Sequence, residues 1–441
     1  MPTQRLADEP TGISTSAVPA QPGRRQRWTL PSRPAFLVLA SISVFFLAGS
    51  AAPTPLYALY QREWHYSPIT TTVVFGVYAV AVLAALLTVG SLSDHIGRKP
   101  VLLTAIAVQA VTMVLYATAG SVTGLLTARV IQGLATGAAA GAAGAALVDL
   151  HRRRGTVANA VAPVTGTATG AIGAGLLVQY LPDPAHLVYL VLLGVFVAQG
   201  IGVALMAEPV TRKPGAVAAL RPRVSVPASV RGPVLAAVPA LLAVWSLGGF
   251  YASLGPQLTG LLAGSRSAVL GGLALFILAA VGAVAVLLLH AAPARPVMLA
   301  GMAALVAGVA VTLLAISADS VVLLLGGTAV AGAGFGAGFQ AAVRTVVPLA
   351  AAHERAGVLS TLWVVSYLAL GLPAVGAGFL VVDGGGLLTT AREFGLAVIV
   401  LAVLAIVGLA RRPRSGHADA PVTSPADGAR ADCQPAGGRS R

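Results

Sequence analysis

The segment G-S-L-S-D-H-I-G-R-K at residues 90–99 is a short polar turn between two long apolar runs. Gly97 can adopt the positive φ angle that a tight turn requires, because a glycine has no Cβ to clash with the backbone. Asp94 can cap a helix or pair with positive groups, and Arg98 and Lys99 favour the cytoplasmic side of a membrane. We therefore expect the chain to leave the membrane here, turn, and enter it again as another helix.

The composition on both sides of this turn is that of a membrane protein. Apolar residues make up 57% of the 441 residues and charged residues only 10%, against about a quarter charged in soluble domains. Lipid must therefore be the main solvent of the chain. The net charge of +14 is spread over short loops and tails, which argues against a nucleic-acid partner. The single cysteine, Cys433, excludes an intrachain disulfide and a thiolate metal site.

Twelve apolar runs are long enough to cross a bilayer, since about 20 residues of helix span its hydrocarbon core. We expect helices at 35–60, 69–92, 101–119, 122–149, 157–180, 186–207, 234–262, 267–290, 297–317, 321–349, 357–382 and 390–410. These runs predict an all-α membrane protein with one six-helix half at 35–207 and a second at 234–410. A basic, proline-rich cytoplasmic linker at 208–233 separates the halves, and the tails at 1–34 and 411–441 are expected to be disordered and cytoplasmic.

Basic residues concentrate in alternate connections, which orients the chain in the membrane. With the amino terminus inside, the inner connections hold Arg98, Lys99, Arg152, Arg153, Arg154, Arg212, Lys213, Arg221, Arg223, Arg231, Arg295 and Arg355. The outer connections hold only Arg62, Arg266 and Arg392. The bias predicts an even number of spans and both termini in the cytoplasm.

The segment at 90–99 resembles the signature loop between the second and third helices of the major facilitator superfamily of transporters. Its defining positions are filled by Gly90, Leu92, Asp94, Gly97, Arg98 and Lys99. The resemblance implies a multi-pass transporter of the plasma membrane that works by alternating access, with two halves that are parallel repeats.

Asp149, at the end of the expected fourth helix, belongs to the same predicted site. In the superfamily an acid at this position pairs with the arginine of the signature loop, which implies a cytoplasmic charge cluster of Asp94, Arg98 and Asp149. Such a cluster can stabilise one conformation, because breaking partly buried ion pairs costs free energy. The predicted conformational latch comprises Gly90, Asp94, Gly97, Arg98, Lys99 and Asp149. The alternative for Asp149 is a solvated carboxylate at a helix end.

Arg129 lies inside the expected fourth helix, where an uncompensated guanidinium is costly, so it should face the interior of the bundle. The run R-x-x-Q-G-x-x-x-G that starts at Arg129 resembles the fourth-helix motif of superfamily antiporters, which implies a role for Arg129 and Gln132 in proton coupling. The fifth helix departs from the antiporter pattern, because Ala171 stands in place of the usual proline. The structural alternative is an arginine that is tied to backbone carbonyls and packs two helices together.

The remaining polar and aromatic groups within the spans are candidates to line a substrate cavity. They are Ser50, Thr54, Tyr57, Trp245, Tyr251, Gln257, Gln340, Arg344, Trp363, Ser366 and Tyr367. Nearby prolines free backbone carbonyls and kink helices, which favours a cavity. Each candidate could instead serve packing or interface anchoring, and Arg344 could extend its guanidinium to the inner surface.

The motifs of common enzymes and metal sites do not occur in the sequence. Both lysines, Lys99 and Lys213, precede a proline, so there is no phosphate-binding loop for ATP. There is no Cys/His cluster for a metal and no nucleophile elbow, and we expect neither an enzyme nor a cofactor. No Asp or Glu lies near the middle of a span. Coupling would then use a peripheral acid such as Asp94 or Asp149, or there is no coupling at all.

These observations predict a secondary transporter that exports a hydrophobic drug or secondary metabolite as an efflux antiporter. Its expected partners are a small-molecule substrate, protons and the lipid bilayer, with no nucleic acid, and we expect a monomer. One alternative is a facilitator or importer of a small organic anion with Arg129 or Arg344 as the counter-ion. The other is a non-transporting receptor on the same scaffold.

Overall fold

The computed structural model describes residues 30–411, apart from residues 209, 211, 223 and 352. The tails expected at 1–34 and 411–441 therefore lie almost wholly outside the described residues. Where the first tail is described, the chain already enters a helix at Ser32, before the expected start at 35.

Twelve helices in the described part of the chain are long and apolar enough to cross a membrane. We number them α1 (Ser32–Ala51), α2 (Pro68–Thr88), α3 (Arg98–Ala117), α4 (Val122–Leu150), α5 (Arg152–Tyr180), α6 (Pro184–Ala204), α7 (Ala228–Ser253), α8 (Ala268–Leu289), α9 (Ala294–Ser317), α10 (Val321–Val346), α11 (Arg355–Asp383) and α12 (Leu387–Ala410). They confirm the expected all-α architecture, with α1 to α6 in the N-terminal half and α7 to α12 in the C-terminal half.

Helix α1 is shorter than the expected span at 35–60. It ends at Ala51, and a separate short helix, Tyr57–Trp64, follows after a run of turns. Pro53 and Pro55 account for the break, because neither has an amide hydrogen to donate to the preceding turn. The break leaves carbonyl groups at the end of α1 without their helical donors.

Helix α7 begins at Ala228, inside the linker expected at 208–233. Pro233 and Pro239 lie within it, and a membrane helix tolerates such prolines because neighbouring helices and side chains satisfy the freed backbone groups. At its other end a break separates α7 from the short helix Gly255–Leu262, where one continuous span was expected. The polar connection between the halves is therefore shorter than the sequence pattern suggests.

Two pairs of helices, α2 with α11 and α5 with α8, form most of the interface between the halves. Glycines allow the close approach that membrane helices use for packing. A Cβ on Gly272 of α8 would lie 2.4 Å from the carbonyl oxygen of Ala171 in α5. Likewise, a Cβ on Gly76 of α2 would lie 2.7 Å from Cγ2 of Val375 in α11.

The two ends of the bundle differ in how the halves are joined. We call the end that carries the turn at 90–99 the basic end, and the other the opposite end. At the opposite end, Thr54 Oγ1 donates a hydrogen bond to Ala252 O at 3.2 Å, and Gln257 Nε2 donates to Gln61 Oε1 at 3.2 Å. These bonds join the two halves directly.

At the basic end the linker contacts both halves. Ser91 Oγ, in the turn at 90–99, donates to Ala219 O of the linker at 2.9 Å. Thr361 Oγ1 of α11 donates to Ser225 O of the linker at 3.4 Å. The linker therefore touches the turn of the N-terminal half and the first turns of α11 in the C-terminal half.

Candidate functional site

The turn at 90–99 brings its charged residues together around Arg98. The Arg98 side chain forms an ion pair with Asp94, and its Nε donates to Asp149 Oδ2 at 3.2 Å. Its Nη1 also donates to Ser93 Oγ at 2.7 Å. Arg98 is buried while both carboxylates remain partly exposed. Asp94, Arg98 and Asp149 therefore do form the expected charge cluster, and its role as a latch stays a prediction.

Glu208, which sequence reasoning missed, joins this cluster from the chain after α6. Its carboxylate accepts hydrogen bonds from the backbone N–H groups of Arg98 at 2.9 Å and Lys99 at 2.8 Å. These first amides of α3 have no acceptor within the helix, and the helix dipole favours a negative charge there. Gly97 has the expected positive φ, 106°. A Cβ on Gly97 would also lie 2.7 Å from Glu208 Oε2, so the position needs glycine for space as well.

Lys99 makes the reciprocal contact with the end of α6. Its Nζ donates to Ala204 O at 2.5 Å and to Met206 O at 2.9 Å, and a cation is favoured at the carboxyl end of a helix.

On the other side of the turn, a Cβ on Gly141 of α4 would lie 3.1 Å from Gly90 Cα. The turn is therefore fixed to α3, α4 and α6, all within the N-terminal half.

Arg129 of α4 is fully buried inside the N-terminal half. Its Nε donates to the Tyr57 hydroxyl at 3.1 Å, and its Nη2 donates to the same oxygen. Its Nη1 donates to Ser50 O at 3.0 Å and to Gln132 Oε1 at 2.8 Å. Three tyrosine rings lie at cation–π distance, with centres 5.2 to 5.9 Å from the guanidinium carbon: Tyr57, Tyr78 and Tyr116.

The break in α1 explains why carbonyl acceptors are available to Arg129. Pro53 has no amide hydrogen for Gly49 O, which instead accepts from Gln132 Nε2 at 3.0 Å. Ser50 O has also lost its helical donor and accepts from Arg129. The arginine therefore does tie helices together, as the structural alternative expected. Its part in proton coupling stays a prediction.

A series of buried phenols leads from Gln132 towards the opposite end. The Tyr116 hydroxyl donates to Gln132 Oε1 at 2.8 Å, and the Tyr116 ring stacks on Tyr189 with 4.8 Å between ring centres. The Tyr189 and Tyr60 hydroxyls are hydrogen-bonded at 3.0 Å. Tyr60 and Tyr116 line a cavity of about 300 Å³ together with Glu63. Side-chain contacts thus connect the Arg129 site to a cavity at the opposite end that Glu63 also lines.

The two arginines considered as counter-ions, Arg129 and Arg344, form no ion pair with a carboxylate in the described part of the chain. Arg344 Nη1 donates to Leu289 O at 3.2 Å and its Nη2 to Ala292 O at 2.5 Å. These carbonyls close α8 at the basic end, where a cation is favoured. The geometry of Arg344 is that of a helix-capping residue.

Several other predicted cavity residues have structural contacts of their own. Thr54 and Gln257 join the two halves at the opposite end. Tyr251 is buried, and its hydroxyl lies 2.8 Å from Thr328 Oγ1. Ser50 Oγ donates to a carbonyl of its own helix at 2.8 Å. These contacts favour the packing alternative for the four side chains.

Five aromatic side chains of the C-terminal half form what we call the aromatic cluster: Trp245, Phe335, Phe339, Trp363 and Tyr367. Trp245 is at its centre, with ring-centre distances of 5.1 Å to Phe339 and 5.7 Å to Tyr367. The Trp363 and Tyr367 ring centres are 5.8 Å apart. All five side chains are half-buried. The structure thus brings together three of the predicted cavity residues, Trp245, Trp363 and Tyr367.

Phe335 and Phe339 were missed by sequence reasoning. Their spacing of four residues, which places both on one face of α10, was the available signal. Space for Phe335 depends on Gly248 of α7, where a Cβ would lie 3.0 Å from the ring. Two further predicted residues, Gln340 and Ser366, adjoin the cluster in sequence, and each has a buried oxygen without a hydrogen-bond partner in the described chain.

Comparisons with known proteins point to one family. The family model described as Major Facilitator Superfamily matches residues 38–292, which is more than half of the chain. A crystal structure of a mutant of the nucleoside transporter NupG has a TM-score of 0.64 and 13% identity, covering 85% of this chain and 99% of that one. The human organic anion transporter MFSD10 (TETRAN) has a TM-score of 0.62 and 18% identity, covering 86% and 100%. At such identities these two likenesses show the fold alone.

Proposed function

The chain belongs to the major facilitator superfamily of membrane transporters, and from that premise we propose that it exports a hydrophobic drug or secondary metabolite across the plasma membrane in exchange for protons. The observation that carries the proposal is the aromatic cluster around Trp245, which offers half-buried rings and no ionised side chain. Sites for drug-like molecules are mainly apolar, with a few placed polar groups. Such a surface suits an apolar organic substrate.

Transport would proceed by alternating access between the two halves, which we assign to residues 35–207 and 234–410 with the linker at 208–233 between them. The bonds made by Thr54 and Gln257 at the opposite end must break for that end to open. Following the positive-inside rule, we place the basic end and both termini in the cytoplasm. A monomer contains both halves and suffices for this cycle.

We assign the transported proton to Asp94 or Asp149, the carboxylates that pair with Arg98. A protonated carboxyl group no longer forms an ion pair, so proton binding would weaken the contacts of Arg98 and release the turn at 90–99. Arg129 keeps its charge at physiological pH and does not carry the proton itself. With Gln132, it supplies a fixed buried charge at the end of α1.

The test uses purified protein in liposomes with an acidic interior. Ethidium is a suitable probe because it is planar and permanently charged, so it neither crosses lipid readily nor distributes as a weak base. We expect protein-dependent accumulation of ethidium that stops when nigericin collapses the pH gradient. Protein-free liposomes and liposomes without a gradient are the controls. Equal ethidium movement with and without the pH gradient would refute proton coupling.

A second candidate function is facilitated movement of an organic anion. It is favoured by the observation that Arg129 has no carboxylate partner in the described chain. The same liposomes test it with 1-naphthalenesulfonate in place of ethidium. The organic-anion function would replace the export proposal if the sulfonate moves down its concentration gradient independently of the pH gradient and ethidium does not move.

A further inference from the structure

We infer that the aromatic cluster is the substrate subsite and that it selects planar aromatic molecules carrying both a hydrogen-bond acceptor and a hydrogen-bond donor. The inference rests on the proposed function, because it names the substrate class of the transporter proposed above. It is carried by the exposure of the rings, by the unpaired polar atoms beside them, and by the position of Tyr367 between the halves.

The rings of the cluster are not packed like those of the protein core. Phe46 and Phe196, in the N-terminal half, are 1% and 0% exposed and pack edge to face with 5.2 Å between ring centres. The cluster rings are only half-buried, although they lie in long helices whose interior faces are otherwise closely packed. The accessible part of these side chains can accept a planar ring in the stacked or edge-on arrangements that aromatic groups prefer.

Three buried polar atoms belong to the cluster or adjoin it in sequence, and none has a hydrogen-bond partner in the described chain: Trp245 Nε1, Gln340 Oε1 and Ser366 Oγ. A buried polar group that stays unpaired destabilises the protein, so these atoms are expected to find partners in some step of the cycle. The indole nitrogen only donates, the amide oxygen only accepts, and the hydroxyl does both. A ligand that satisfies them must carry an acceptor and a donor.

The position of the cluster is that of a site between the halves. Tyr367 also lines an apolar groove of about 470 Å³, whose other walls include Gly76 of α2, Leu134 of α4 and Leu372 of α11. One cluster ring therefore lies where the C-terminal half meets the N-terminal half. A ligand bound there would contact surfaces that separate and rejoin during alternating access.

The charge of the ligand follows from the side chains at hand. The cluster contains no carboxylate, and Arg344, one helical turn after Gln340, directs its Nη1 and Nη2 to Leu289 O and Ala292 O. Ring faces can stabilise a delocalised cation by cation–π attraction, but they repel an anion. The subsite should therefore accept neutral molecules and delocalised cations and reject anions of the same shape.

The experiment measures binding of 7-amino-4-methylcoumarin to the full-length protein in lipid nanodiscs. This probe is planar and neutral, with a lactone carbonyl as acceptor and an amino group as donor. Equilibrium dialysis with coumarin fluorescence gives a dissociation constant that does not depend on the number of tryptophans. We expect saturable binding and only weak competition by ethidium, which has a planar ring and amino donors but no good acceptor. We expect no competition by 1-naphthalenesulfonate or by the non-planar 1-adamantanol.

Variants of the cluster locate the site. Trp245→Leu and Gln340→Leu should each weaken coumarin binding about tenfold, the loss expected for one aromatic face or one buried hydrogen bond. Trp64→Leu is the matched control, because Trp64 stacks on Tyr60 with 4.7 Å between ring centres, near the opposite end and away from the cluster. The affinity of this variant for the coumarin should be unchanged. Trp245→Phe, which keeps a ring but loses the indole N–H, should retain more of the affinity than Trp245→Leu.

The outcomes separate this inference from the proposed function. Unchanged affinity in Trp245→Leu and Gln340→Leu, with pH-driven ethidium transport intact, would overturn the subsite and leave the export proposal standing. Equally tight binding of the sulfonate would overturn the charge selectivity. Tenfold weaker binding in both variants without any pH-driven transport would support the subsite as a binding site while refuting export by proton exchange.

Discussion

The N-terminal and C-terminal halves share a six-helix architecture, but they bury different chemistry. In the N-terminal half, Arg129 is fully buried and shares its donors among Tyr57, Ser50 and Gln132. In the C-terminal half, Trp245 Nε1 and neighbouring polar atoms are buried without partners in the described chain. Arg129, whose donors are satisfied, is held in one arrangement. Unpaired buried atoms also occur in the described N-terminal half, at Thr71, Gln109, Thr136 and Gln199. The C-terminal group differs because it includes the Trp245 ring of the aromatic cluster.

The two halves also hold their basic-end turns differently. The turn at 90–99 is fixed through carboxylates, those of Asp94, Asp149 and Glu208. The corresponding turn between α8 and α9 is fixed by Arg344, which binds backbone carbonyls. A carboxylate can lose its charge by taking up a proton, whereas arginine keeps its charge and a carbonyl has none to lose. The proton binding proposed for Asp94 or Asp149 would therefore act on the turn of the N-terminal half.

Replacing Arg129 by alanine should give the largest effect, because it leaves Ser50 O and the Tyr57 hydroxyl without their donor inside the bundle. Each unpaired buried group costs about 1–3 kcal/mol, so the free energy of unfolding should fall by several kcal/mol. Thermal unfolding of the detergent-purified protein measures this. Ethidium transport without pH dependence in the recovered protein would show that Arg129 tunes a proton site. A normal pH response combined with lost binding would make Arg129 a ligand contact instead.

Asp94→Asn tests the turn at 90–99, and we expect its effect to be the second largest. The amide cannot form the ion pair with Arg98, so turnover of ethidium should be lost while coumarin binding stays intact, because the turn is remote from the aromatic cluster. The matched control is Asp183→Asn at the opposite end, where Asp183 pairs with His186 at 2.6 Å. Transport unchanged in Asp94→Asn would refute the latch.

Glu208→Ala removes the carboxylate at the start of α3. Its two hydrogen bonds to helix amides and its interaction with the helix dipole together are worth about 1–2 kcal/mol, and unfolding in a denaturant series should show a loss of that size. Glu354→Ala is the control, since Glu354 precedes α11 and its carboxylate accepts from Ala351 N at 3.4 Å. Equal losses of stability in both variants would show that Glu208 contributes no more to folding than Glu354 does.

Arg344→Leu should have the smallest effect. The carbonyls of Leu289 and Ala292 lie at the basic end, where water can replace the guanidinium, so the loss of stability should be under about 1 kcal/mol. Ethidium transport and its pH dependence should be retained. Loss of 1-naphthalenesulfonate movement in this variant would instead support the organic-anion candidate, with Arg344 as its counter-ion.

Much of the fold could be predicted from local sequence, and the reason is the solvent. In lipid every backbone group must be paired within its own segment, so apolar runs of sufficient length must be helices. The twelve spans and the turn at 90–99 follow from that requirement. The resemblance of residues 90–99 to the signature loop went one step further, because it implied that Asp149 pairs with Arg98, and the structure brings the two together at 3.2 Å. The positive φ of Gly97 was also predictable from the turn alone.

The partners of buried groups were decided only by tertiary structure. Glu208 is 110 positions from Arg98, and no periodicity relates them, because their contact depends on where α6 ends beside α3. Ser50 O accepts from Arg129, and Gly49 O accepts from Gln132, because Pro53 breaks α1 and frees both carbonyls. A local pattern reports which solvent a residue prefers. Whether a polar group is paired or left open for a ligand depends on which helices meet, and that is set by packing across the whole bundle.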